Sequence, residues 1–425
     1  MSVWSVDQVL ALAPDASSRA GARSVSRARA WQATGRTDDV SLWGLCQGSG
    51  RQPYQTCVDL REPAYHCSCP SRKVPCKHVL GLLLLWVSGE VPVGEPPEWL
   101  LRWQNSRAAR QTRGQRRAPA APPSEKTVRR RADRVAAGLD ELDRWLSDQV
   151  RQGLAGASRA GYRHWATMAA RLVDAQAPGV AGAVGRLASV ASSPDRLLAE
   201  LGLLRLLVTG YRRLDELPAD LAATVRGRVG FPVAVDDVLA GPPVRDVWQV
   251  LAVRDEAEER LTVRRTWLRG RRSARPALVL SFAAPGQELA ADLIPGTEID
   301  ADLCFYPGAQ PLRALVATRY SAAASAVPAG GDSVSEALDG YSAALAVDPW
   351  LERWPMLLDG VCPVHAGRWH LVDGKGDGLP VRGDGPQPWR LVAAAGGRPV
   401  TVAAEWTVAG LRPLTAWAED RMVRL

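Results

Sequence analysis

Four soft-metal ligands fall within twelve residues of this chain, in the run Cys67-Ser-Cys69-Pro-Ser-Arg-Lys-Val-Pro-Cys76-Lys-His78. Zinc takes thiolate and imidazole in a tetrahedron, and three Cys with one His fill it without an open position for substrate. The spacing therefore predicts a closed, structural zinc site. Cys67 and Cys69 belong on a tight knuckle at a strand end, and Pro70 and Pro75 bracket the loop that carries Cys76 and His78 across the ion. His78 then falls in the first turn of a helix over 77–88, apolar nearly all round and closed by Gly89, which must be packed on most sides. Three thiolates against a dication leave about −1, which Arg72, Lys73 and Lys77 partly offset.

The other cysteines agree with this reading. Seven is an odd number, and five lie between Cys46 and Cys76, which argues for a metal site over a disulfide framework. His66 adjoins Cys67 and competes as a ligand, but the C-x-C pair already supplies two. Cys46 and Cys57 are expected to face each other across a hairpin as core residues, and Cys304 and Cys362 to be buried singles. His365 and His370 flank Trp369 with no acidic or Cys partner at ligand spacing, and 373–378 is a turn, since Lys375 would oppose a cation there.

At 425 residues the chain has room for about three domains, and 46% hydrophobic with 23% charged residues excludes wholesale disorder. The expected class is α+β multidomain. Residues 1–101 hold a ββα zinc finger, its core about 40–90, with a short helix near 6–12 and strands over 40–46 and 54–60 around a Gly/Pro-rich turn. Residues 102–125 carry almost no large apolar residue past Trp103 and end Pro-rich, which predicts a basic flexible linker. Val128, Ala132, Val135, Leu139, Leu142 and Leu146 then step by four and three, and Ser193-Pro194 starts another helix, so 126–228 reads as a helical bundle. From about Val244 the apolar period changes to two, so 229–425 reads as a β-rich sandwich or partly open barrel in one or two subdomains. A capping box at Ser333 and Glu336 opens one helix there, and 389–394 and 399–406 read as strands.

The formal charge is +8, but it is not evenly spread. Between Arg102 and Arg134 eleven cations stand against two acids, a local +9, while the flanks carry +1 and −2. Arg107, Arg110, Arg113, Arg116, Arg117, Arg129, Arg130 and Arg131 are the candidates for phosphate contacts. Only four of the 53 cations are lysine, a skew that a GC-rich genome also writes for neutral reasons.

The ligand run with its flanks, LWGLCQGSGRQPYQTCVDL before and KHVLGLLLLW after, resembles the SWIM zinc finger, C-x-C-x(n)-C-x-H between two strands and a helix. The later architecture, with PLRALV at 311–316 and EW at 405–406, is similar to that of bacterial SWIM-containing proteins. The resemblance implies one zinc ion and contact with DNA or protein. It also implies possible partners, since related proteins accompany MoxR-type ATPases and von Willebrand A domain proteins. Transposase and helicase-type domains that also accompany the finger are not in this chain, nor is a phosphate-binding G-x-x-x-x-G-K-[ST] loop or any other catalytic motif. The leading expectation is a non-catalytic, zinc-binding interaction scaffold or adaptor. The alternative is DNA binding through the finger and its Arg-rich neighbour. No run reaches the length of a membrane span and the first residues lack the apolar core of a secretory signal, so the cytoplasm is expected.

Overall fold

The computed structural model describes the chain except residues 1–3, 38–40, 49–51, 61–63, 72, 116–123, 157–160, 259–260, 285–288, 290–291, 322, 329, 386 and 420. Two short helices open it, α1 (Val6–Ala11) under a Ser5–Gln8 capping box and α2 (Ala16–Val25) under Asp15. Strands β1 (Trp31–Thr37), β2 (Ser41–Cys46), β3 (Tyr54–Asp59) and β4 (Ala64–Cys67) follow as an antiparallel sheet in chain order. Helix α3 (Lys77–Val87) is buried without a break from His78 to Trp86. It lies on the sheet with α1 and α2 against its other sides, Trp4 meeting Trp86 edge to face, so its all-round apolar sequence is spent on three neighbours. Trp43 pairs Cys57 and Cys46 pairs Tyr54, so the two cysteines do not face each other as expected, although both are fully buried.

Helix α4 (Glu98–Gln115) corrects the linker boundary, because it runs through the first half of the segment read as flexible. Leu100 is fully buried, Trp103 stacks on His66 at 6.3 Å, Gln104 donates to Ser41 Oγ and Arg107 pairs with Asp59. These anchors hold the start of the helix to the finger, and the Ala, Arg and Gln that follow are good helix formers needing no apolar stripe of their own. Residues 116–123 lie outside the described part.

The bundle consists of α5 (Glu125–Gln152), α6 (Gly161–Asp174), α7 (Pro178–Arg186), α8 (Pro194–Arg212) and α9 (Ala219–Val229). Val135, Leu139, Leu142 and Leu146 of α5 meet Trp165, Met168 and Leu172 of α6 and Leu197, Leu201 and Leu204 of α8 in one apolar core. Val128, assigned to the same stripe, is 47% exposed, so the stripe enters the core one turn later than its period suggests.

A short helix α10 (Val235–Leu239) leads into β5 (Val244–Glu258), β6 (Leu261–Gly270), β7 (Pro276–Ala283), β8 (Thr297–Phe305), β9 (Arg313–Arg319) and β10 (Ala324–Ser325). The pairings β5–β6–β7–β9–β8–β5, with β7 and β9 parallel, close a five-stranded ring. This is the connectivity of an OB-type barrel, with β10 added beside β8. After α11 (Val334–Val347) come β11 (Trp354–Ala366), β12 (Arg368–Val372), β13 (Gly378–Pro380), α12 (Trp389–Ala395), β14 (Val400–Thr407), β15 (Gly410–Ala418) and β16 (Arg421–Arg424). The strands form one antiparallel sheet, β13-β12-β11-β14-β15-β16. Residues 389–394, expected as a strand, are instead helical. Leu391 and Ala395, four apart, bury one face on the sheet, and Gly396 closes the helix at φ +55.

Period two decides how this sheet sits. Met356, Leu358, Val402, Ala404 and Ala416 face α11 and α12, while the intervening Leu357, Ala403 and Trp417 face Leu251 of the barrel. The β-rich half is therefore a closed barrel with a helix-backed sheet packed on it, rather than a sandwich of two like sheets.

Candidate metal centre

The ligands arrive from three elements. Cys67 ends β4 opposite Thr56, and Thr56 Oγ1 lies 3.2 Å from its sulfur. The chain then turns at Ser68, whose backbone N–H donates to Gln55 O while its hydroxyl accepts from Gln55 N, which pins the knuckle that carries Cys69. Cys76 is the N-cap of α3 and His78 lies one residue inside it. A thiolate at a helix N-terminus faces the positive end of the helix dipole, so the helix favours the charged form of Cys76.

The four donor atoms all lie within 4.8 Å of one another. Cys67 Sγ is 3.7 Å and Cys76 Sγ 3.9 Å from His78 Nδ1. Ideal zinc–sulfur and zinc–nitrogen bonds give a tetrahedron with an S···N edge of about 3.6 Å, so these two edges are already close to those of a closed cage. Cys76 and His78 are buried and Cys67 and Cys69 half-buried, with the His78 ring against Tyr54 at 5.0 Å. The coupling of the two neighbouring sulfurs favours the thiolate at Cys76 and the thiol at Cys67, while burial raises Cys69. One zinc ion fits this donor set as a closed structural site.

Neighbouring candidates take other roles. His66 points to the opposite face of β4 from Cys67, against Trp103, and so does not compete for the ion. Burial pushes the Cys46 thiol to about 11 and Cys57 to about 12, and the former donates to Ala30 O. Both are core thiols. Lys73, expected to offset the site's charge, pairs with Asp15 at 2.8 Å, and Arg72 lies outside the described residues. Cys304 is buried as expected, Cys362 only half so, and His365 rests on Trp369 at 4.9 Å. Asp373 accepts from the backbone of Lys375 and Asp377, which makes 373–378 the expected turn.

Family models match two parts of the chain: residues 57–86 to the SWIM zinc finger and residues 130–229 to the SWIM-associated four-helix bundle domain. This is a SWIM zinc finger domain-containing protein. No curated protein and no solved structure matches the chain. The finger match ends inside α3 and spans all four ligands, and the second match spans the bundle from early α5 to the end of α9.

The eight arginines nominated for phosphate contact are placed in different settings. Arg107 pairs with Asp59 at 2.5 Å and lies over the Trp103 ring. Arg131 donates to Gly230 O and stacks on Phe231 at 4.7 Å, which ties α5 to the end of the bundle. Arg129 and Arg130 are exposed on α5. Arg110 and Arg113 lie in the second half of α4, and Arg116 and Arg117 fall outside the described residues. The contacts of Arg107 and Arg131 were not legible in sequence, because their partners Asp59 and Gly230 are 48 and 99 residues away. No described helix is long and apolar enough to cross a membrane.

Proposed function

We propose that this SWIM protein is a non-catalytic interaction scaffold of the cytoplasm, in which zinc fixes the finger and the later modules present surfaces to other proteins. The observation that carries the reading is the covering of the barrel. OB-type barrels take oligonucleotides on the face of their second and third strands. Here Trp267 of β6 and Leu278 of β7 on that face pack against Leu351 and Leu414, and Trp267 Nε1 donates to buried Glu405 of β14 at 2.8 Å. The chain's own C-terminal sheet thus fills the place a strand of nucleic acid would take. Arg107 and Arg131 are likewise spent on internal contacts. The bundle, by contrast, leaves Val150, Tyr162, Leu198 and Leu206 about half or more exposed, the kind of surface a protein partner buries. MoxR-type ATPases and von Willebrand A domain proteins are the partners to test first.

DNA binding is the second reading, favoured by exposed Arg129 and Arg130 beside Lys126. Affinity purification with and without nuclease separates the two. The scaffold reading expects partners that survive nuclease and no duplex binding at physiological salt. A log–log salt slope near −4.5, which about five phosphate contacts produce, would contradict it.

A further inference from the structure

A cleft of about 1200 Å³ opens where the finger, the barrel and the C-terminal sheet meet. Arg19 of α2, Arg264 of β6, Arg390 of α12 and Arg424 of β16 line it, with Tyr65 of β4. Four guanidinium groups from four elements, remote in sequence, converge on one space. Among the described residues its two side-chain acids are already engaged: Asp255 takes both arms of the Arg264 fork at 2.8 Å, and Asp15 is held by Lys73. Among the described residues Arg19, Arg390 and Arg424 have no carboxylate partner, and Arg424 makes only a long bond to Val253 O at 3.4 Å.

Two donors are conspicuously unmet. Arg19 Nε is buried without a hydrogen-bond partner, and so is the hydroxyl of Tyr65, whose residue is 8% exposed. A buried donor left unpaired forfeits its hydration without compensation, so native folds keep few of them. Burial also pushes the Arg424 guanidinium down, a penalty that a bound anion would relieve. Both unmet groups can donate, and the described side chains of the cleft carry a surplus of positive charge. The complementary ligand is a multiply charged anion rich in acceptor oxygens, and guanidinium forks match phosphate geometry.

We propose that this three-way cleft is a binding site for a small phosphate-bearing anion, held by Arg19, Arg390, Arg424 and the Tyr65 hydroxyl. The ligand would bridge the finger to both β modules. The inference does not rest on the scaffold reading and stands or falls separately from it.

The probe is tripolyphosphate, titrated by calorimetry into the zinc-loaded full-length chain at low salt. One saturable site and a raised melting temperature are expected. Arg19→Ala with Arg390→Ala should weaken binding by about tenfold or more, because hydrogen bonds to charged groups are the strong ones. Tyr65→Phe should weaken it about threefold while the unliganded melting temperature holds or rises, since the hydroxyl has no partner to lose. A merely structural tyrosine would do the reverse. Tighter binding of ADP than of tripolyphosphate would name a nucleotide, and equal binding the phosphate chain alone. No saturable binding, equal binding by hexaglutamate, or wild-type affinity in the Arg19→Ala/Arg390→Ala variant would overturn the proposal.

Discussion

The finger and the helical bundle each occupy about a hundred residues, yet their interiors are made differently. In the bundle the core is side chain on side chain, with Leu139, Leu142, Trp165 and Leu172 fully or nearly fully buried among apolar neighbours from other helices. The finger has an apolar core around α3 as well, and in addition gathers three half- or fully buried cysteines and His78 around the start of that helix, where unpaired polar groups would be costly in the absence of a metal. The difference teaches where each fold's cooperativity lies. The bundle is held by apolar contacts between helices, whereas the finger adds to its apolar core a single centre that fixes β4, the knuckle and α3 at once.

Removing that centre should have the largest effect. Structural zinc contributes on the order of 10–16 kcal/mol in finger peptides, and here the ligands span the whole β4-to-α3 connection. Chelation, or the Cys67→Ser/Cys76→Ser variant, should abolish stoichiometric zinc and expose the amides of α3 to hydrogen exchange. The bundle amides should stay protected. Loss of protection in α5 to α9 at the same chelator concentration would break the comparison.

A change in the bundle should give the mirror image. Leu142→Ala removes a fully buried side chain and should cost about 2–5 kcal/mol, lowering the melting transition of the bundle while zinc content stays at one per chain. Zinc loss in that variant would show that the two regions unfold as one.

The junction between barrel and C-terminal sheet offers a third, intermediate effect. Burial pushes the Glu256 carboxyl up, but the hydrogen bond from Arg265 and the charges of Arg353 and Arg254 outweigh it and bring it to about 2. A carboxylate depressed in the fold stabilises above its unfolded value near 4.5 and loses that contribution as pH falls toward 2. Acid unfolding should therefore begin in this window, and Glu256→Gln should flatten the pH dependence there. An unchanged acid midpoint would remove Glu256 from the account.

The smallest effect belongs to the surface. Arg171 pairs with Glu141 across α6 and α5, both partners well exposed, so Arg171→Ala should change stability by less than about 1 kcal/mol. A larger loss by denaturant titration would mean that the bundle depends on its surface as well as its core.

What was legible in the sequence follows the same division. The ligand set, α3 and the bundle helices could be read because each signal is local: C-x-C and C-x-H spacing, an unbroken apolar run, and apolar residues three and four apart. Contacts between distant segments were not. The helicity of 98–115 depends on Trp103 reaching His66 and Gln104 reaching Ser41, and nothing in 104–115 announces it. The run at 389–394 mixes β-formers with alanine, and its docking of Leu391 and Ala395 on the sheet decided for helix. The closed barrel rests on the parallel β7–β9 pairing and on which face of each strand meets the C-terminal sheet, neither of which has a local signature.

The central claim is that zinc sits in a closed Cys3His centre made by Cys67, Cys69, Cys76 and His78. X-ray absorption at the zinc edge of the purified full-length chain tests it most directly. The account predicts one zinc per chain with three sulfurs at about 2.3 Å and one imidazole nitrogen at about 2.0–2.1 Å, with no bound water. A chain that purifies without stoichiometric zinc, or a first shell with two sulfurs or an exchangeable oxygen, would contradict it.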